Sequence, residues 1–596
     1  MRPWPTLLAV GLALSLSPPA RAAGYQIEPS LAENLDIAQD GRRLPGQPPP
    51  VEETPAPETG PPAVAPPASD IPREFIPVPD RWRLIEEIGV NEHWWNPYSQ
   101  NTFKGDRPLF GEDWFFSTSF VNDTVFEPRT VPTPVGVQST KNAREIDTYG
   151  RIGQAFIDET LLSSFSLTKG DTAFKPPEFE VRLTPVFNVN YLSVDEVGIV
   201  NANPLRGDTR LQTFGGLQEG FVDYHLRDVS ERYDFDSLRF GIQPISTDFR
   251  GFLFQDDQLG ARLYGNRDNN LWQYNAALFQ RLEKDTNSGL NDVTLRRRKD
   301  WVLVTNLYRQ DLPWPGLTQQ LTVVFNRNRE RNERYYDEDD FLVRPAPIGD
   351  ERGHNYDVTY AGWNMNGHIG RFNLMSSAYY ANGYDSHNTF SGEPANIRAE
   401  FAAIEPSVDF DWLRVRLSGL YASGDRNPYG RTETGFDAIM ENPQFAGADT
   451  SYWIRQAIPF IGGGGVVLSG RNAILPSLRT SEDEGQSNFI NPGLLLFGVG
   501  SDADILPELK LSTNANYLRF ENTSVLEVLR QQGDIQERIG FDLSAALTYR
   551  PFFTQNVVLR LSGGILIPQQ GFKDLYVTQD KQRYLYSVLA DIVLTY

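Results

Sequence analysis

The chain has 596 residues, no cysteine, and 55 Lys and Arg against 77 Asp and Glu, for a formal charge of -22. Without a thiol there is no disulfide framework, Cys-ligated zinc site, iron–sulfur cluster or thiol nucleophile. An acidic balance of this size also argues against a nucleic-acid partner, because phosphate binding needs clustered Lys and Arg.

MRPWPTLLAVGLALSLSPPARA carries Arg2, an apolar run from Leu7 to Leu16 and the small residues Ala20 and Ala22. Together they read as an export leader over 1–22. The stretch LPGQPPPVEETPAPETGPPAVAPPASDIP at 44–72 is mostly Pro, Ala and Glu. It has little to bury, so 23–72 is expected to be an extended linker. Residues 73–113, which include Trp94 and Trp95, are expected to form a short periplasmic extension that packs against the domain behind it or enters it like a plug. The whole of 23–113 is a candidate docking segment for a periplasmic partner. No stretch after the leader approaches the roughly 18 consecutive apolar residues of a membrane-spanning helix.

From Trp114 to Tyr596 the chain repeats one rhythm. EFEVRLTPVFNVNY, SLRFGIQP, WVLVTNLY, RFNLMSSAYY, LRVRLSGLY, LKLSTNANYL, FDLSAALTY, NVVLRLSGGILI and RYLYSVLADIVLTY alternate apolar with polar residues. A period of two is a strand between two different environments. A 3.6-residue period would put Arg414 or Asp542 on an apolar stripe. Each segment is close to the length a tilted strand needs to cross a bilayer. Pro185 falls inside one of them and removes a ladder donor, so a bulge or break is expected there. INPGLLLFGVG at 490–500 alternates poorly.

The connections alternate too. Short links at 366–370, 409–412 and 550–556 take turns with long ones at 329–353, 425–489, 522–536 and 568–583. That asymmetry is the pattern of an outer-membrane barrel, with tight periplasmic turns and extended external loops. The expected fold is therefore all-β: a transmembrane, antiparallel, up-and-down β-barrel of about 18 strands (16 to 20) over 114–596. The segment 425–489 is too long for a passive link and is expected to fold into the mouth or lie across it. Within it, Gly462 to Gly465 offer close packing or a hinge.

The ending, with Tyr596 preceded at every second position by Leu594, Ile592, Ala590 and Val588, resembles the C-terminal signal of Gram-negative outer-membrane β-barrel porins, although Tyr replaces the commoner Phe. The resemblance implies recognition by the barrel assembly machinery. A narrower likeness lies in LYASGDRNPYGRTETGFDAIMENPQFAGADTSYW: Ser423, Gly424 and Asp425, followed by Phe436 and Asp437, look like the corresponding loop of alginate-export-type porins. That family implies 18 strands and an anionic polysaccharide cargo. The same residues also suit an ordinary loop turn.

Ionised side chains facing the bilayer midplane cost about 2–4 kcal/mol for Arg or Lys, so the charged parity of each strand should point inward. This assigns Arg182, Arg239, Arg262, Arg398, Glu400, Arg414, Arg416, Lys510, Asp542, Arg560 and Asp591 to a charged, wet lumen wall, with Glu180, Asp223 and Asp357 among them. The set leans basic. The expected function is a porin-like outer-membrane channel passing polar or anionic small molecules, or polysaccharide, by passive diffusion. The other reading of these arginines is that they pair with carboxylates across strands and stiffen the wall. Outer-membrane lipid and lipopolysaccharide are the expected surroundings, and no cofactor or metal is expected.

Other function classes stay open: a sealed structural or adhesion barrel, a partner-binding receptor, or an outer-membrane hydrolase. The five histidines are dispersed, with neither a Gly-x-Ser-x-Gly elbow nor a His-Glu-x-x-His motif. Asp223 and His225 share a strand face as a candidate pair, which reads more naturally as structural than catalytic. No catalytic residue is assigned.

Overall fold

The computed structural model describes His93, Asn96 and residues 101–130, 152–170, 176–230, 234–292, 294, 296–345, 352–447, 450–451, 484–531, 533–551, 555–575 and 584–596. The expected leader and linker, Trp94, Trp95 and Gly462 to Gly465 lie outside the described residues.

Twenty strands form one hydrogen-bonded sheet, of which eighteen make a closed antiparallel barrel and two, Lys104–Phe110 and Thr432–Glu433, are accessory. The barrel strands in chain order are β1 (Trp114–Thr130), β2 (Gly153–Lys169), β3 (Phe179–Val194), β4 (Thr209–Asp228), β5 (Phe235–Ser246), β6 (Gln255–Arg267), β7 (Trp272–Leu282), β8 (Arg297–Arg309) and β9 (Leu317–Arg329). They continue as β10 (Asn355–Ile369), β11 (Phe372–Asp385), β12 (Ala395–Phe410), β13 (Leu413–Ala422), β14 (Leu494–Leu506), β15 (Leu509–Arg519), β16 (Arg538–Tyr549), β17 (Val557–Pro568) and β18 (Leu585–Thr595). Each pairs with its chain neighbour, and β18 returns to β1, as in Thr124 opposite Ile592.

One end of the barrel carries the links 170–178, 229–234, 268–271, 310–316, 370–371, 411–412, 507–508 and 550–556; the other carries 131–152, 195–208, 247–254, 283–296, 330–354, 386–394, 423–493, 520–537 and 569–584. The asymmetry read from the sequence is real. NGHIG, however, lies mostly within β10, and the turn proper is 370–371.

Closure leaves one awkward edge, because β1 extends beyond the end of β18 at the short-link mouth. Lys104–Phe110 covers it, with Lys104 opposite Ser117 and Phe110 opposite Trp114. Tyr596 sits where this segment and β18 meet. Its backbone exchanges hydrogen bonds with Phe120, its hydroxyl accepts one from Asn101 Nδ2 at 2.8 Å, and Lys104 Nζ stands 4.0 Å from its ring centre.

Pro185 causes the expected irregularity. The register shifts between Thr184 and Pro185, so that Thr184 faces Glu219 and Pro185 faces Leu217. Gln218 is the extra residue, and the bulge switches which parity of β4 points inward.

The outward parity is a continuous apolar belt that includes Leu417, Phe497, Val499, Leu543, Leu561 and Ile592, each at least 41% exposed. Trp272, Trp314 and Trp412 stand at the short-link end of this belt, where an interfacial aromatic girdle would lie. Apolar exposure on this scale suits lipid rather than water. Leu417→Arg on the belt is accordingly expected to lose about 2–4 kcal/mol of folding stability in lipid vesicles. Denaturant titration of refolded barrel checks this; an unchanged midpoint would mean that the belt does not face hydrocarbon.

Candidate functional site

Alternation fixes which side chains enter the lumen, but the lumen is not uniform along its axis. Arg182, Arg239, Arg262, Arg414, Arg416, Lys510 and Arg560 all point inward, and each lies within a few residues of the short-link end of its strand. They form a basic ring, or vestibule, at one level.

Most of these cations are held by carboxylates. Arg182 reaches Glu180 at 2.8 Å and Glu219 at 3.8 Å. Arg239 donates to Asp223 at 2.7 Å, lies over the Phe221 ring, and shares Asp223 with the Tyr264 hydroxyl at 2.6 Å. Arg414 bonds Asp409 of β12 at 2.8 Å. Arg416 bonds Asp502 of β14 and donates to Asn514 at 2.6 Å, while Lys510 stands 3.8 Å from the same Asp502. Arg262 donates to Asn275 at 2.9 Å and lies over Tyr264. Arg560 faces Asp591 directly across β17 and β18. The cations are therefore braced within a mixed-charge wall, yet Arg182, Arg262, Arg414, Arg416, Lys510 and Arg560 remain partly exposed.

Toward the long-loop end the interior departs from the charged, wet wall expected above. Inward residues of β8 to β15 there include Val302, Val304, Val324, Tyr360, Phe401, Leu420, Leu496 and Leu518, all at most 3% exposed. Two infolded segments cover them. The first, 247–254, is turned by Asp248, whose carboxylate accepts the N–H groups of Arg250, Phe252 and Leu253 and the Tyr379 hydroxyl at 2.9–3.2 Å. Gln320 and Thr322 donate to the Thr247 carbonyl from the wall. The second, whose described residues are 434–447 and 450–451, begins beside β13, where Phe436 N–H donates to the Ser423 carbonyl at 2.8 Å. It then pairs with the first: Ile439 N–H donates to Leu253, Gln255 to Met440 and Asn442 to Gly251. From this contact with Gln255 at the start of β6 it turns back to the wall beside its origin, where Asn514 Nδ2 of β15 donates to Thr450 at 2.8 Å and Ser451 donates to Asp542 of β16. The chain thus reaches across the barrel from β13 to β6 and returns to β15 and β16.

Aromatic contacts seal the crossing. Phe252 lies 5.0 Å from Phe401 and 5.4 Å from Phe445, and Phe436 stacks on Phe401 at 5.1 Å. Gly251 is required at the crossing because its φ is +72° and a Cβ would come within 2.5 Å of the Asn442 carbonyl oxygen.

The return leg of the long loop is latched to the wall by buried charge. Arg298 pairs with Glu330 at 2.7 Å and donates to the Gly485 carbonyl at 2.7 Å; Arg344 pairs with Glu283 at 2.5 Å and donates to the Glu484 carbonyl at 2.7 Å. Arg281 with Asp300 and Lys284 with Asp256 complete the lattice. Neither this lattice nor the 247–254 infold was anticipated from the sequence. The signal for the infold was FLF at 252–254, an apolar triplet between two strands.

Several expected positions differ. Arg398 and Glu400 lie on the outward parity of β12, with Ala402 and Ile404, toward its long-loop end. There the strand rises beyond the apolar belt, so charge no longer reports the inward face. Asp357 is outward for the same reason and bonds Arg329. Asp542 and Asp591 are inward but buried, at 0% and 3% exposure. His225 does not pair with Asp223, which Arg239 and Tyr264 occupy, but lies 2.8 Å from Asp228. Neither His225 nor His354 bonds a Ser or Thr hydroxyl, and among the described residues no group of three or more His, Cys, Asp or Glu is arranged for a metal.

Ser423, Gly424, Asp425, Phe436 and Asp437 form the root of the crossing segment. Ser423 Oγ donates to the Thr434 carbonyl, Gly424 N–H donates to Glu521, and Asp437 Oδ2 accepts from Asn488 N–H at 2.6 Å. Asp425 is 1% exposed and accepts from Asn427 N–H. Burial pushes its carboxyl up to about 6, against the opposing effect of the Asn427 and Thr434 hydrogen bonds.

Solved structures to which the chain is similar include three Occ or Opd chains. They are Acinetobacter baumannii OccAB1 (TM-score 0.43, 9% identity, 81% of this chain and 96% of that one), Pseudomonas aeruginosa OccK7 (OpdD) (0.44, 10%, 81% and 98%) and Pseudomonas aeruginosa OpdK with vanillate (0.41, 11%, 80% and 98%). No protein-family model matches the sequence, and no curated protein does.

Because the folded value at Asp425 lies above the ordinary 3.8, its contribution to docking of the loop root is full below about pH 4 and is lost as pH rises through about 6. Hydrogen exchange of 423–437 is expected to quicken from pH 4 to pH 8 beyond the intrinsic rate change, and Asp425→Asn to flatten that excess. An equal excess in the variant would place the titration elsewhere.

Proposed function

We propose that this protein is an outer-membrane channel through which small polar solutes, anionic ones preferentially, diffuse without turnover or cofactor. The observation that carries the reading is a ring of seven inward cations at the short-link mouth of a closed barrel, set against an interior narrowed by 247–254 and 434–451. Such a ring raises local anion concentration, and the crossing segments restrict size. The apolar belt and the export leader expected at 1–22 support an outer-membrane location. The Tyr596 pattern supports delivery by the barrel assembly machinery.

The crossing segments argue against a polymer. A polysaccharide passing through the barrel would have to displace aromatic contacts and a backbone pairing that together bury Phe252, Phe254 and Phe436 to 2% exposure or less. Small solutes need only the space left beside them.

Conductance in planar bilayers under a KCl gradient tests the reading. The wild-type barrel is expected to conduct with an anion-leaning reversal potential. Arg414→Ala with Arg416→Ala leaves Asp409 and Asp502 without their principal partners and should move selectivity toward cations, roughly severalfold in permeability ratio. Phe252→Ala with Phe436→Ala should raise single-channel conductance by loosening the crossing. An electrically silent barrel would favour a sealed scaffold, and a cation preference untouched by the double arginine variant would remove the anionic preference.

A further inference from the structure

The outward face of β8 and β9 departs from its neighbours near the long loops. Leu303 and Phe325 form a lipid-belt pair, and the register then climbs through Trp301 opposite Arg327. Just past the last paired residues, Asn328 opposite Asp300, Lys299 and Arg297 follow on β8 and Arg329 ends β9, with Arg331 in the turn two residues further on. With strands about 4.8 Å apart and a same-face repeat of about 6.6 Å, the four strand-borne cations Arg297, Lys299, Arg327 and Arg329 occupy a patch roughly 13 Å tall, and Arg331 follows in the adjoining turn. Arg297, Lys299, Arg327 and Arg331 are exposed and Arg329 is half-buried.

The opposing charge is smaller. Lys299 reaches Glu333 at 2.9 Å, and Asp357 serves both Arg329 and, at 3.9 Å, Arg327. Among the described residues Arg297 and Arg331 have no ion-pair partner. At comparable height on β17 and β18 the outward residues are Ile567 and Tyr586, so the ladder is local. In a chain of charge -22 this concentration of outward cations calls for a ligand.

We propose that this ladder is a docking site for the phosphorylated headgroup of an outer-leaflet glycolipid, lipid A. Charge complementarity selects a phosphate-bearing group, and Arg in particular suits bidentate phosphate contacts. The apolar belt directly beneath, at Leu303, Phe325 and Val323, selects an amphiphile whose acyl chains lie along the wall, rather than a free anion or a hydrophilic partner. Trp301 stands at the boundary between the two, where an indole is suited to the interface. The long-loop end is the outer-leaflet end of an outer-membrane barrel, so the site rests on the membrane reading above.

Native mass spectrometry of the full folded chain in detergent, with bis-phosphorylated lipid A as the probe, tests this. Wild type should retain the lipid, whereas Arg297→Gln, Lys299→Gln and Arg331→Gln together should weaken retention on the order of a hundredfold. The charge-keeping set Arg297→Lys, Lys299→Arg and Arg331→Lys should restore it. Arg227→Gln, which removes an outward cation near the opposite rim, should leave it unchanged. Fully dephosphorylated lipid A should bind wild type about as weakly as phosphorylated lipid A binds the triple Gln variant. Equal retention by wild type and the triple Gln variant, or equal binding of the dephosphorylated lipid, overturns the site. Displacement by millimolar inorganic phosphate would reduce it to a simple anion site and also overturn it. Heat-modifiable migration and vesicle insertion are read on every variant: a wild type that does not insert overturns the membrane reading itself, whereas an inserting barrel that ignores lipid A overturns only the docking site.

Discussion

Every strand in this barrel depends on one constraint: a backbone N–H or C=O facing hydrocarbon has no water to bond. The pairing of β18 with β1 removes the sheet's edges across the belt. Because β1 outruns β18, the constraint is met a second time by Lys104–Phe110, which occupies the leftover edge. Tyr596 lies at the junction of the two solutions and bonds both the wall and Asn101. Closure therefore involves residues far apart in sequence.

Once closed, the wall has two outer and two inner environments. Outside, the belt gives way at the long-loop end to exposed charges such as Lys299, Arg327 and Arg398. Inside, the short-link half is polar and ionic, while the long-loop half is packed like a protein core. The ionic half is stiffened by pairs such as Arg239 with Asp223, whose burial makes loss of one partner costly. The packed half exists because 247–254 and 434–451 supply the second layer that the inward faces of β8 to β15 require. The passage proposed for small solutes would run where these halves meet.

The long-loop charges serve different ends according to the face they occupy. Arg298, with alternate neighbours Arg297 and Lys299, is fully inside and latches Gly485, whereas its neighbours stand outside. A shift of one residue in register would exchange a buried clasp for a lipid-facing ladder.

Alternation alone determined the class of fold, the lipid-facing parity of segments such as LRVRLSGLY and FDLSAALTY, and the bulge at Pro185, because these follow from side-chain period and backbone donors within a few residues. It also indicated Arg414 and Arg416 as inward. It misled at Arg398, Glu400 and Asp357, since parity says which face a charge shares but not its height relative to the membrane. INPGLLLFGVG alternated poorly for a physical reason: β14 meets lipid on one face and the packed interior on the other, so both faces are apolar. Only the tertiary structure decided that the long loop crosses the lumen, that FLF at 252–254 meets it there, and that seven cations from six strands share one level. Those facts depend on contacts between distant strands, which local periodicity does not encode.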